Sequence, residues 1–271
     1  MSPWWRDRLV IGLCPGRIIA ARHERGFRRK ASENQLLRFE VAAGSPNWTG
    51  ALDALPDLLS RWARHRTDAT VVLSNHFVRY AVLAWDAHLT SESEWLALAR
   101  HRFESVYGKT ASDWEIRVSA AGRRRPRLAA AMDGALLRSL DAVFSASGVA
   151  LVSTQPYLMG AFNRLRRRLD DPSFWVVLHE PGRLVLGLVR RGCWQAIRSR
   201  HADANWSAQL ADILDRETAM LELQDPCAEV IVLGHEAPGA PRFSQGTYRL
   251  RDVSIPPGPE PDARHMAMVL N

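Results

Sequence analysis

Two short glycine-bearing stretches carry residue types and spacings suited to anion chemistry. The first is Leu9-Val10-Ile11-Gly12-Leu13-Cys14-Pro15-Gly16-Arg17-Ile18-Ile19-Ala20, which reads as a buried strand, a tight glycine turn and a second strand. The second follows about 165 residues later with the same plan: Phe174-Trp175-Val176-Val177-Leu178-His179-Glu180-Pro181-Gly182-Arg183-Leu184-Val185-Leu186-Gly187. A glycine turn between two strands can aim successive backbone N–H groups at phosphate oxygens. The first strands end on Cys14 and His179, neither of which is a carboxylate. Gly12, Gly16 and Gly182 also have a plainer use, which is to turn the chain.

No other constellation competes with these. Nine histidines are scattered without an HExxH pattern or an i,i+4 pair, so His76 in a turn and His179 at a strand end read as polar termini rather than metal ligands. His179 beside Glu180 would make an acid/base pair only if both entered one cleft, and adjacent strand residues point to opposite faces. There is no Gly-x-Ser-x-Gly elbow. The cysteines Cys14, Cys193 and Cys227 are odd in number, widely spaced and free of CxxC. They fit a reducing compartment, with neither a disulfide framework nor a zinc site, and the cytoplasm is the expected location. The expectation is a chain without metal or cofactor.

Composition narrows the class. The chain has 271 residues, 46% hydrophobic and 24% charged, with a formal charge of +7. That is long enough for one large domain or two ordinary ones, and no stretch approaches the ~20 apolar residues of a membrane span. The charge excess is arginine, clustered at Arg123-Arg124-Arg125 and at Arg164, Arg166, Arg167 and Arg168. The first cluster reads as a hairpin tip. The second lies on a helix whose apolar face is Leu158, Phe162, Leu165 and Leu169. Without an aromatic RNA-binding sheet, a helix-turn-helix or a zinc finger, nucleic acid is the weaker reading. Anionic lipid headgroups or an acidic partner face suit the arginines equally well. Trp4-Trp5, followed by Arg6 and Arg8, suits a partner surface, a membrane interface or a packed edge.

The elements that must position the two turns follow from periodicity. Strands are expected at 9–13, 17–23 and 35–41, then a helix carrying Leu52, Leu55, Leu59 and Trp62 despite Pro56. Residues 70–73 and 77–84 read as two strands joined by Ser74-Asn75-His76. Ser91-x-x-Glu94 is a capping box that opens a helix through Leu96, Ala99, Phe103 and Val106 to Gly108. Strands 113–119 and 127–132 follow, then a helix capped by Asp133 and a strand at 149–153. Pro156 opens the arginine-bearing helix. The second half starts again with strands at 174–178, 183–190 and 193–199. A helix with Trp206, Leu210, Ile213, Leu214 and Leu221 comes next, then a buried strand at 229–233. Beyond Gly234 and His235 the chain is rich in proline and glycine.

From 70 to about 163 this order resembles the extra subdomain of the actin-like proteins of bacterial type IV pilus and type II secretion assembly, the PilM and GspL relatives. The matching runs are Val71-Val72-Leu73-Ser74-Asn75-His76-Phe77-Val78-Arg79-Tyr80, Trp114-Glu115-Ile116-Arg117, Arg127-Leu128-Ala129-Ala130-Ala131-Met132-Asp133 and Gly148-Val149-Ala150-Leu151-Val152. With both glycine turns and 230–234, the resemblance reaches to about residue 236. It implies an α/β, actin-like fold of two tandem RNase H-like domains with an inserted α+β subdomain. The first domain would span 1–155, with the insert at about 70–132. The second, reduced domain would span 156–236, before a Pro/Gly-rich tail at 237–271.

The resemblance also implies a nucleotide pocket, formed here by Gly12, Cys14, Gly16, Arg17, His179, Gly182, Gly234 and His235. Nucleotide-binding members carry an acidic-glycine signature in each hairpin and paired glycines after the late strand. Here Cys14, His179-Glu180-Pro181 and His235 stand instead, and Arg17-Ile18-Ile19 replaces the Lys or Ser/Thr after the first turn. Metal-assisted phosphoryl transfer depends on those carboxylates to hold Mg²⁺. The expectation is therefore a non-enzymatic cytoplasmic scaffold, peripheral to the inner membrane. It would bind the cytoplasmic segment of an inner-membrane assembly protein and link it to a motor ATPase. The docking groove is expected on the exposed faces of 77–83 and 94–107, through Phe77, Arg79, Tyr80, Leu83, Arg100 and Phe103. An actin-like protein that binds or hydrolyses ATP in a non-standard pocket is the alternative, and an arginine-driven nucleic-acid module is the third.

Overall fold

The computed structural model describes residues 7–23, 33–39, 46–62, 67–122, 124–166, 169, 173–222, 225, 227–233 and 247–251. Two five-stranded sheets built on one plan dominate it. In the first, β1 (Asp7–Cys14), β2 (Arg17–His23) and β3 (Glu33–Arg38) form an antiparallel meander. The helix α1 (Thr49–Trp62) then crosses over to β4 (Thr67–Leu73), which lies parallel to β1. The strand β8 (Ala150–Pro156) completes the order β3-β2-β1-β4-β8. In the second, β9 (Phe174–Glu180), β10 (Arg183–Arg190) and β11 (Cys193–His201) form the meander. The helix α5 (Leu210–Met220) leads to β12 (Glu229–Leu233), parallel to β9, and the order is β11-β10-β9-β12-β13. The last strand, β13 (Arg249–Leu250), comes from the proline-rich tail, which therefore contributes to the sheet.

The hydrophobic runs are unbroken because both faces of each central strand are covered. Leu9, Ile11 and Leu13 face the layer made by α1 and by α3 (Gly134–Ala146). Val10 and Cys14 face the other way, into a core shared with the second half. Trp175 and Val177 face α5, whereas Phe174, Val176 and Leu178 face that same shared core. Between the sheets runs α4 (Tyr157–Leu165), whose Tyr157, Leu158, Ala161, Phe162 and Leu165 are buried from both sides. Pro56 lies inside α1 without ending it, on its exposed face.

A third sheet, ordered β5-β7-β6, comprises β5 (Val78–Leu83), β6 (Trp114–Val118) and β7 (Arg127–Asp133). The helix α2 (Glu92–Tyr107) covers it with Trp95, Ala99 and Phe103. The capping box forms as expected, with Ser91 Oγ accepting from Glu94 N and the Glu94 carboxylate accepting from Ser91 N. Leu96 and Val106, expected on the apolar face, are exposed, because Trp95 sets the phase of the helix. The strands on either side of Ser74-Asn75-His76 do not form a hairpin. Residues 67–73 sit centrally in the first sheet and Val78 starts the third, so the chain changes sheets at this turn. β11 runs alongside the outer edge of β5.

Candidate functional site

The two glycine turns face each other, and both depend on glycine for their geometry. Gly16 has φ 71° and Gly182 φ 76°, left-handed values that a Cβ strains. The residues that bond between the turns are not among the expected pocket residues. Ser74 N donates to Leu13 O at 2.9 Å, which seats the turn after β4 against the end of β1. From the opposite half, the buried Glu180 reaches this turn. Ser74 Oγ donates to Glu180 Oε1 at 2.5 Å, and Asn75 donates to Oε2 through its backbone N at 2.9 Å and its Nδ2 at 2.7 Å. Tyr80 Oη donates to Asn75 Oδ1 at 2.6 Å, and Leu158 N, in the first turn of α4, approaches the same oxygen at 3.4 Å. His76 Nε2 lies 3.0 Å from Pro181 O. One carboxylate thus ties the second hairpin to the first sheet, and the network extends to the insert and α4.

The electrostatics follow from this burial. Glu180 is pushed above the usual carboxylate range by loss of water, against the pull of the Ser74 and Asn75 hydrogen bonds. His76 is lowered to about 4, first by burial and then by the charges of Arg183, Arg79 and Arg17. Burial and the nearby Glu180 push the Tyr80 hydroxyl well up. His76 meets Ser74 Oγ through its backbone N, at 3.1 Å, rather than through its ring. The serine therefore gives its proton to a carboxylate that already accepts two other bonds. No group of three His, Cys, Asp or Glu side chains suited to a metal ion occurs among the described residues.

A cavity of about 40 Å³ lies here, lined by Cys14, Pro15, Arg17, Ser74, His76, Glu180 and Pro181. That is room for a water or two, whereas small-molecule sites run to roughly 300–1,000 Å³. Of the expected pocket residues, Cys14 and Arg17 reach it and Gly16 and Gly182 turn the chain beside it. Gly12 sits within β1, opposite Ile19 and Val72. His179 does not join them: strand alternation turns it to the other face, where its ring stacks on Trp206 at 4.6 Å. Glu180 takes the inward position instead. Gly234 and His235 lie outside the described residues.

The expected docking residues differ in burial. Phe77, Leu83 and Phe103 belong to cores and expose 7%, 3% and 1% of their surface. Tyr80 is committed to Asn75, and β11 lies against the edge of β5. Arg100 donates to Ser112 O at 3.2 Å on the half-buried flank of α2. Arg79, like Tyr80 and Arg100, is half-buried. In the arginine clusters, Arg124, Arg125 and Arg166 are exposed, whereas Trp4, Trp5, Arg6, Arg123, Arg167 and Arg168 lie outside the described residues.

The paired sheets, the central helix and the opposed turns define an actin-like α/β fold of two domains with an inserted subdomain. Solved structures agree. The chain superposes on the cytoplasmic domain of EpsL, an inner membrane component of the type II secretion system of Vibrio cholerae. The TM-score is 0.63 at 11% identity, covering 97% of this chain and 94% of that one. A Bacteroides thetaiotaomicron protein with an actin-like ATPase fold and unknown function gives 0.58 at 11% identity, over 88% and 87%. The PilM-PilN type IV pilus biogenesis complex gives 0.58 at 13% identity, over 84% and 81%. No family model matches the chain, and no curated protein matches its sequence.

Proposed function

We propose that this protein is a non-enzymatic scaffold of a type II secretion or type IV pilus apparatus, binding the cytoplasmic segment of an inner-membrane partner. The observation that carries this reading is the Glu180 clasp. Where two glycine turns would otherwise cradle phosphates, a buried carboxylate takes the Ser74 and Asn75 donors and leaves a water-sized cavity. Among the described residues lining that cavity Glu180 is the sole acidic side chain, and metal-assisted phosphoryl transfer depends on carboxylates to hold Mg²⁺. The likeness to an inner-membrane secretion component and to a pilus biogenesis complex supports the choice of apparatus. No described helix is long and apolar enough to cross a membrane.

The test is a thermal shift with millimolar Mg²⁺-ATP, since a ligand of the folded state raises Tm by mass action. No shift is expected, nor any phosphate release. A magnesium-dependent rise in Tm that disappears in Gly16→Val would overturn the proposal in favour of an ATP-binding protein.

A further inference from the structure

Beside the clasp lies a cluster of positive charge drawn from separate parts of the chain. Arg79, on β5, donates Nη1 to His76 O and Val78 O at 3.1 Å each, and its guanidinium lies 6.0 Å from the centroid of the Tyr107 ring. Arg183 opens β10 in the other half, and its Nε is buried without a hydrogen-bond partner. Neither guanidinium has a carboxylate oxygen within 4 Å among the described residues. The nearby carboxylate, Glu180, is occupied by Ser74 and Asn75. Arg183 is held below its ordinary value by burial and by the like charge of Arg79, so the two arginines repel each other across the junction.

Apolar surface adjoins this charge. Val106 and Tyr107, at the end of α2, are 59% and 39% exposed, and Trp114 braces Tyr107 with ring centroids 5.0 Å apart. Two half-buried guanidinium forks match carboxylates in bidentate geometry. The neighbouring valine and tyrosine offer contact area that a free oxyanion leaves unused.

We propose that Arg79 and Arg183, with Tyr107 beside Arg79 and Val106 next to it on α2, form a docking surface for an acidic peptide segment of a protein partner, its carboxylates between the arginines and an apolar side chain on the end of α2. This rests on the scaffold reading and names the chemistry of its partner. Docking would lower the repulsion between the arginines and bridge the insert to the second half.

The experiment uses the full chain and two fluorescent dodecapeptides, one alternating Glu with Leu and Phe, the other with Gln in place of every Glu. Anisotropy at low salt should show the acidic peptide binding at least about tenfold tighter than its Gln counterpart, with the difference shrinking as salt rises. Arg183→Gln, whose Nε makes no hydrogen bond to lose, should weaken binding several-fold at unchanged Tm. Adding Arg79→Gln should take the loss to about tenfold or more, and Arg166→Gln, exposed beyond α4, should change nothing. Equal binding of the two peptides, or an unaffected Arg183→Gln, overturns the proposal. So does full displacement by inorganic phosphate or by a short single-stranded oligonucleotide, which would mark a simple oxyanion or nucleic-acid site. If these fail while Mg²⁺-ATP gives no thermal shift, the docking surface falls and the scaffold reading stands.

Discussion

At the scale of single residues, Glu180 and His76 make opposite statements about pH. Glu180 has a raised folded value, so the folded state binds its proton more tightly than the unfolded chain does. Its contribution to stability is present below the ordinary carboxylate range and is lost as pH rises through its folded value. His76 is depressed to about 4, so between there and its ordinary 6.5 the unfolded chain binds more protons and stability rises with pH. Variants separate the two effects. Relative to wild type, Glu180→Gln should gain as pH rises above the ordinary carboxylate range. His76→Gln should gain as pH falls from 6.5 towards 4. Glu180→Ala should cost about 2–4 kcal/mol, because it strands the buried donors of Ser74 and Asn75. Urea titrations across pH 4 to 8 check all three. A Glu180→Ala protein as stable as wild type would remove the clasp from the account.

At the scale of elements, strand parity decides what reaches the cleft. In β9, Phe174, Val176 and Leu178 face the shared core, and the same alternation brings Glu180 inward and sends His179 to Trp206. The same logic governs β10 and β11. A Cβ at Gly187 would overlap the Trp194 ring, and that ring packs on Phe162 with centroids 4.5 Å apart. Gly187→Val should therefore force Trp194 out of its place and lower stability by about 2–3 kcal/mol. Denaturant unfolding measures the loss, and a companion Trp194→Ala that recovers part of it would locate the clash. If Gly187→Val left the midpoint unchanged, β10 and β11 would not be paired in this register.

At the scale of the whole molecule, the two halves share one core. α4 buries side chains against both sheets, and the clasp adds polar cross-links at sequence separations of more than 100 residues. Halves joined in this way should not melt separately. Calorimetry should give one transition, with calorimetric and van't Hoff enthalpies in agreement. Phe162→Ala, which removes an α4 side chain from between the sheets, should lower that transition by several degrees without splitting it. Two resolved transitions would mean that the domains move independently and that the cleft is not held shut.

Much of the architecture was legible in the chain itself, for local reasons. Unbroken apolar runs such as 9–13 and 174–178 mark strands covered on both faces, Ser91-x-x-Glu94 marks a helix start, and the glycines at 16 and 182 mark turns with left-handed backbone. These signals depend on neighbours within a few residues, so they survive without tertiary information. The site did not. Ser74-Asn75-His76 is a turn in any local reading, and only the fold shows that the turn leaves one sheet for another and meets Glu180, 106 residues away. Phe77 looks like a groove residue until it joins the core beneath α1 and α3, and Leu83 and Phe103 until α2 packs on the third sheet. Which face of a strand turns inward, and which carboxylate finds its donors there, is settled by long-range packing that no periodicity in the sequence records.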